Sequence, residues 1–307
     1  MTQIARVAGA TGRTHARGER ALALARDCIA LTRPRVLTLV LLTAPAGLAL
    51  GHDAWPTFMT LLGVLVGTAL VGGGSGALNA WYERDRDALM LRTLDRPLPA
   101  GRLTPAQALG FGLSTSTLGL LVLFAVGGWL PVAIGALTLA HYIFVYTMWL
   151  KPRTPQAIVV GGVAGAIAPL IADAALNGAI GIWSLVLFAI VFIWQPPHFW
   201  AIALYRRHEY ALAGFPILPN VVGEHTTRRH MLAYALLLIP VTLLPWFAGL
   251  LGSAYALTAL LGGALFVSHI VRAIRLQSSA ADRRVFATSI IYLTALFAIL
   301  LTDLALR

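Results

Sequence analysis

The chain has 307 residues and a formal net charge of +11, from 23 Lys and Arg against 12 Asp and Glu. Yet only 11% of its residues are charged, 58% are hydrophobic, and the mean hydropathy is +0.79. Soluble domains carry roughly 25% charged residues, so this composition excludes a soluble globular protein, and with it the disordered, collagen-like and disulfide-built classes; the single Cys28 has no internal partner.

No nucleic-acid partner is expected either. A basic chain this apolar reads as an all-α, polytopic membrane bundle with its charges in the loops. In chain order, residues 1–35 hold seven Arg and no continuous apolar core, so no secretory leader is expected there. They form a basic cytoplasmic segment in which 21–31 is a short helix lying against the headgroups. A spanning helix needs about 20 mostly apolar residues. Nine stretches qualify, near 36–52, 57–80, 104–126, 130–149, 156–174, 180–204, 230–250, 253–271 and 285–305. The first is short and needs help from its flanks. Residues 36–307 are expected as one transmembrane domain, with functional cytoplasmic loops at 79–103 and 198–229.

Orientation follows from the placement of positive charge. Of the 23 basic residues, 22 fall in alternate loops on one side, and only Arg307 on the other. The positive-inside rule puts that side, and the N-terminus, in the cytoplasm and the C-terminus outside. Such clean alternation favours an odd number of spans. The use of 22 Arg against one Lys suits a GC-rich bacterium, and a bacterial inner membrane is the expected location.

Two of the cytoplasmic loops carry most of the chemistry-bearing side chains. In the run 79–87, Asn79, Glu83 and Asp87 are spaced by four, so they share one helix face over about 12 Å, while Asp85 points away. Such a line of oxygen donors suits Mg²⁺, which completes its shell with waters and phosphate oxygens. A solvated helix end, with Glu83 and Asp87 paired to Arg84, Arg86 or Arg92, is the competing reading. Asn79 argues against it, because an amide one turn deeper is costly without a partner. The preceding Gly72-Gly-Gly-Ser-Gly76 lacks the Lys-Ser/Thr of a P-loop and reads as close helix packing.

The second loop follows the sixth span. Here His198 and Glu209, eleven residues apart, lie within about 20° of each other on a continuous helix, with Arg206 near the same face. Pro196 and Pro197 are expected to kink the span. His198 is boxed by Trp194, Gln195, Phe199 and Trp200, and an intramembrane ionisable group marks function by default; His141 and His269 read as packing residues. Both segments run from a span into an acidic extension and then a proline stretch, four helices apart. That rhyme suggests a duplicated four-helix unit whose loops face one cavity.

Asn79-x-x-x-Glu83-x-x-x-Asp87 followed by Arg92-Thr-Leu-Asp-Arg96-Pro-Leu-Pro resembles the first aspartate-rich motif of the UbiA superfamily of intramembrane prenyltransferases. Leu31-Thr-Arg-Pro-Arg-Val36, Tyr146-Thr-Met-Trp-Leu-Lys151, Val160-Gly-Gly-Val-Ala-Gly-Ala166 and Trp194-Gln-Pro-Pro-His-Phe-Trp200 resemble its haem-farnesylating branch, over roughly residues 30 to 300. The chain departs from the pattern in carrying Glu83 and Glu209 where Asp is usual, which lengthens each carboxylate's reach by one methylene.

The resemblance implies a nine-helix bundle, farnesyl diphosphate as donor, haem B as acceptor substrate and Mg²⁺ as activating ion. It implies Asn79, Glu83, Asp87 and Lys151 as catalytic residues, and Asn79, Glu83, Asp87 and Glu209 as metal ligands. Arg92, Arg96, Lys151 and Arg153 would hold diphosphate. His198, Trp200, Arg206, Glu209 and Tyr146 would hold haem. Trp81, Tyr82, Tyr146, Phe199 and Trp200 would shield a farnesyl cation from water. Membrane lipid and a haem A synthase are the other expected partners. The rival readings are a prenyltransferase for a quinone precursor, an assembly factor that carries haem unaltered, and a transporter. A transporter would place its charges mid-span rather than at the cytoplasmic edge.

Overall fold

The computed structural model describes residues 19–51 and 55–306; most of the basic segment expected over 1–35, and Arg307, lie outside the described residues. Among the described residues every regular element is helical. Eight helices are long and apolar enough to cross a membrane, and nine if one bent pair is counted as a span. The expected all-α polytopic bundle is what forms.

The bent pair opens the chain. Helix α1 (Glu19–Leu31) meets α2 (Pro34–Ala49) at 57°. Pro34 takes the first helical position, where its missing N–H is harmless, and bars Arg33 from the right-handed region. Arg33 turns left-handed instead, with φ 54° and ψ 57°. The flank that the short first span required is therefore α1, set at an angle.

Helix α3 (Phe58–Asp87) has 30 residues, or about 45 Å at 1.5 Å each. That exceeds a hydrocarbon core of about 30 Å, so its last turns emerge. The Gly-rich run inside it serves close packing. A Cβ on Gly74 would fall 2.1 Å from Ser116 Oγ and 2.8 Å from the Gly112 carbonyl of α4 (Pro105–Gly127).

Helix α5 spans Trp129–Leu150. Its second half, His141–Leu150, widens into a π-helix, closed by Lys151 N–H donating to the Tyr146 carbonyl at 2.9 Å. The next span is split at Ile167 into α6 (Ala157–Ala166) and α7 (Ala168–Asn177). Helices α8 (Ile182–Tyr205), α11 (Glu224–Phe247), α12 (Ser253–Leu276) and α13 (Ser279–Ala305) form the largest buried cluster, around Ile190, Trp194, Trp200, Met231, Phe266 and Phe297.

Two expected span ends are corrected. The seventh begins at Glu224 rather than 230, and the ninth at Ser279 rather than 285. Arg228 and Asp282, both fully buried, pair at 2.7 Å between α11 and α13, so these polar first turns are carried inside the bundle. Short helices α9 (Arg207–Leu212) and α10 (Leu218–Val222) lie between α8 and α11. Met90, after α3, packs on Phe215 and Ile217 of that connection, so the two charged loops meet at one end of the bundle, the basic end.

Candidate functional site

Asn79, Glu83 and Asp87 occupy the last turns of α3 and are 0%, 3% and 2% exposed, while Asp85 is turned to solvent. Charges are seldom buried without partners, and here each carboxylate faces a cation. Lys151 Nζ lies 2.6 Å from Glu83 Oε1 and 2.7 Å from Oε2. Arg96 Nη1 donates to Asp87 Oδ2 at 2.6 Å. Arg33 Nη2 donates to Asn79 Oδ1 at 2.6 Å. The partners are neither Arg84 nor Arg86 nor Arg92, because the row faces inward and its cations arrive from other elements. Arg84 turns back onto the Trp81 carbonyl at 2.8 Å.

Asn79 is oriented from behind. Its Nδ2 donates to Thr147 Oγ1 at 3.0 Å, and that hydroxyl donates to the Tyr142 carbonyl at 2.8 Å. With the hydroxyl proton so engaged, Thr147 can only accept from the amide, which leaves Oδ1 for the cationic side. The π-helix aims both Thr147 and Lys151 at the row. Phe215 covers it, with Arg86 and Lys151 each 4.9 Å from the ring centroid. Burial opposes the charge on Lys151, but Glu83 outweighs it and holds the ammonium above the ordinary lysine range. Arg96 goes the other way. Burial and the nearby Arg33 and Arg92 push its guanidinium down, against the pull of Asp87.

Other expected residues lie elsewhere. Arg92 is exposed. Arg153 folds back on its own helix, donating to the Met148 and Trp149 carbonyls. The continuous helix expected from His198 to Glu209 is broken at Arg206, where φ reaches −117°. Glu209 pairs with Arg206 at 2.7 Å instead. Among the described residues no three His, Cys, Asp or Glu side chains gather as a metal cluster. Pro196 and Pro197 lie inside an unbroken α8. Trp200 is 2% exposed and packs edge-on against His230 and Tyr234 of α11, away from the row; Phe199 is partly exposed. Tyr146 does reach the site, its ring 5.6 Å from Lys151 Nζ. His198, 8% exposed, stacks on Trp194 and bonds Ser289 Oγ through Nδ1 at 2.7 Å. His141 and His269 bond Val160 and Thr288 as packing residues.

Arg33, Thr147, Phe215 and Ser289 were not predicted as site residues. Arg33 and Thr147 had a sequence signal, their places in the Thr-Arg-Pro-Arg and Tyr-Thr-Met-Trp-Leu-Lys stretches.

A buried acidic row beneath a cationic rim, at the end of a helical membrane bundle, invites comparison with known proteins. The model of the UbiA prenyltransferase family matches residues 40–298. The chain belongs to that family. It is 48% identical over 283 residues to protoheme IX farnesyltransferase 1 of Mesorhizobium japonicum, covering 92% of this chain and 91% of that one. It is 45% identical over 285 residues to protoheme IX farnesyltransferase of Brucella suis, covering 92% and 90%. The fold is shared with a UbiA homolog from Aeropyrum pernix at TM-score 0.70 and 17% identity, over 89% of this chain and 98% of that one. A UbiA homolog from Archaeoglobus fulgidus bound to GPP and Mg²⁺ superposes at TM-score 0.62 and 15% identity, over 89% and 99%. The chain is thus a prenyltransferase by family, and its nine-helix count includes the bent pair.

Proposed function

We propose that this chain converts haem B to haem O, taking the farnesyl group from farnesyl diphosphate, at the cytoplasmic face of a bacterial inner membrane. The observation that carries the donor half is the buried row Asn79–Glu83–Asp87 in contact with Arg33, Lys151 and Arg96. The acceptor half rests on the relatives named as protoheme IX farnesyltransferases. The cytoplasmic assignment rests on the one-sided basic loops.

The donor set fits a divalent cation. Glu83 Oε1 is buried and accepts no directed hydrogen bond even with Lys151 beside it, and Asn79 presents an oxygen to the same face. Asn79, Glu83 and Asp87 would hold Mg²⁺, and the ion, when bound, supplies charge neutralisation to the diphosphate.

The chain's own residues account for the rest. Lys151, Arg96 and Arg33 exchange their carboxylate and amide partners for diphosphate oxygens, so anion and cation sites fill together. The farnesyl C1–O bond then breaks with its electron pair leaving on diphosphate, whose charge these cations stabilise. The haem vinyl π-electrons form the new bond to C1. Water adds to the resulting carbocation and loses a proton, giving the hydroxyethylfarnesyl side chain. Tyr146 and Phe215, stacked against the site cations, line the side from which water must be excluded. His198 and Tyr146 are assigned to the acceptor side, with Arg206 and Glu209; Trp200 supports α8 from behind. The product is of the substrate class of a haem A synthase, the expected partner.

The test is purified full-length protein in lipid nanodiscs with haem B, farnesyl diphosphate and Mg²⁺. Haem O identified by mass supports the assignment. Prenylation of a hydroxybenzoate with no haem O overturns it.

A further inference from the structure

His198 and Ser289 sit between α8 and α13, outside the acidic row. Ser289 Oγ donates to the Phe286 carbonyl at 2.6 Å. A hydroxyl carries one proton, so the same oxygen meets His198 Nδ1, 2.7 Å away, only as an acceptor. The proton between them therefore belongs to Nδ1. Ser289 is itself held from the other side, because Trp194 Nε1 donates to its carbonyl at 2.8 Å.

The imidazole is clamped as well as bonded. Trp194 lies 4.4 Å from it at 23°, Phe286 4.8 Å at 31°, and Phe199 5.2 Å edge-on. No acidic side chain is among its partners, and an unpaired charge in such an aromatic box is costly, so the ring is neutral. With Nδ1 protonated, Nε2 carries the free lone pair, and among the described residues it makes no hydrogen bond. A neutral imidazole whose other nitrogen donates to a fixed acceptor is the arrangement of a metal-ligating histidine.

The same two helices carry cations about 10 Å further towards the basic end, about two turns on. There the Tyr205 ring lies between Arg206 at 5.7 Å and Arg283 at 5.1 Å, with Phe286 6.3 Å away. A metalloporphyrin with carboxylates along one edge presents this pattern of needs: a lone pair for the metal, aromatic walls for the macrocycle and cations for the edge.

We propose that Ser289 is a positioning residue for the haem substrate, fixing His198 as the Nδ1–H form so that Nε2 faces the haem iron, with Arg206 and Arg283 towards the propionates. The proposal rests on the haem-farnesylating reading above. It adds which nitrogen ligates and what holds it there.

Full-length protein in nanodiscs is titrated with haem B without farnesyl diphosphate, and resonance Raman of the ferrous form reads the iron–histidine bond. Wild type should show that band, and His198→Ala should lose it. Ser289→Ala should bind haem about 10- to 100-fold more weakly with the band shifted or broadened. Ser289→Thr should restore both, and Ser289→Cys, a weaker hydrogen-bonding partner, should fall between. Binding of farnesyl diphosphate, measured in parallel, should be unchanged in all four variants and reports that each is folded. An unaltered affinity and band in both Ser289→Ala and Ser289→Cys overturns the proposal, as does a wild-type band that survives His198→Ala; haem O formation by wild type would leave the underlying reading standing in either case. Failure of wild type to bind haem at all overturns both.

Discussion

Lys151 Nζ stands within 2.7 Å of both oxygens of Glu83, across 68 positions of sequence. The contact joins the π-helical end of α5 to the emerging end of α3, at a carboxylate only 3% exposed. Removing one partner of such a pair strands the other. Lys151→Ala is expected to destabilise the protein by about 3 kcal/mol and to abolish haem O formation. Lys151→Arg keeps the charge but not the compact ammonium, and should retain most of the stability while losing part of the turnover. Thermal unfolding and product formation, measured on the same preparations, separate the two effects.

The pH dependence of that pair has a definite sign. Glu83 holds the folded-state value of Lys151 above the ordinary 10.5, against the effect of burial. A cation so raised contributes stability in full below its unfolded value and loses it as pH climbs through the folded value. The gap in unfolding midpoint between wild type and Lys151→Ala should therefore stay level from neutrality to about pH 10 and close only above it. A gap that closes by about pH 8 would contradict the pairing.

Among the described residues Asp87 is the single carboxylate bonded to Arg96, whose charge is otherwise disfavoured by burial and by Arg33 and Arg92. Asp87→Asn keeps the shape and removes the charge. Turnover should fall by about 100-fold or more, while helical content by circular dichroism and membrane insertion stay as in wild type. Retained turnover would remove Asp87 from the diphosphate site.

How much of this was legible beforehand depends on range. The row at 79, 83 and 87 follows from helical period alone, and its burial from an amide too deep for solvent. Its pairing with Arg33 and Lys151 does not, since they lie 46 and 68 residues away and meet the row only after packing; Lys151 and Arg96 entered the site through the resemblance alone. The short first span pointed to help from its flanks, yet the left-handed Arg33 that sets the 57° bend has no local signature beyond Pro34. The break at Arg206 was missed because Arg-Arg-His-Glu contains no Gly or Pro, and local propensity favours continuation. Likewise the π-helix at 141–150 has no composition of its own; only the aim of Tyr146, Thr147 and Lys151 reveals it.

Thr147 offers a test of that aim. Its hydroxyl is engaged by the Tyr142 carbonyl and accepts from Asn79 Nδ2, so it decides which end of the amide faces the cations. Thr147→Val is nearly isosteric and leaves the amide N–H buried without a partner, at a cost of about 1–3 kcal/mol. The farnesyl diphosphate KM should rise several-fold with haem affinity unchanged, and Thr147→Ser should recover it. Equal loss on both substrates would mean that the threonine only supports the helix.

Gly161 tests how closely α6 must approach the π-helix. A Cβ there would sit 2.3 Å from Tyr146 Cδ2 and 2.7 Å from Cε2, and that ring also stacks on Tyr142 at 5.2 Å. Gly161→Ala must therefore displace Tyr146, and with it the face presented to Lys151. Overpacking of this kind costs about 1–3 kcal/mol. Gly165→Ala is the control, because the atoms nearest its Cβ would be those of Gln195, with Oε1 at 2.6 Å, and not those of Tyr146. Both variants should melt earlier than wild type. Only Gly161→Ala should lose turnover beyond what its unfolding explains, and trimming the ring in a Gly161→Ala, Tyr146→Leu double variant should return stability towards that of Tyr146→Leu alone. Additive losses in that cycle would show that the glycine and the tyrosine do not act through contact.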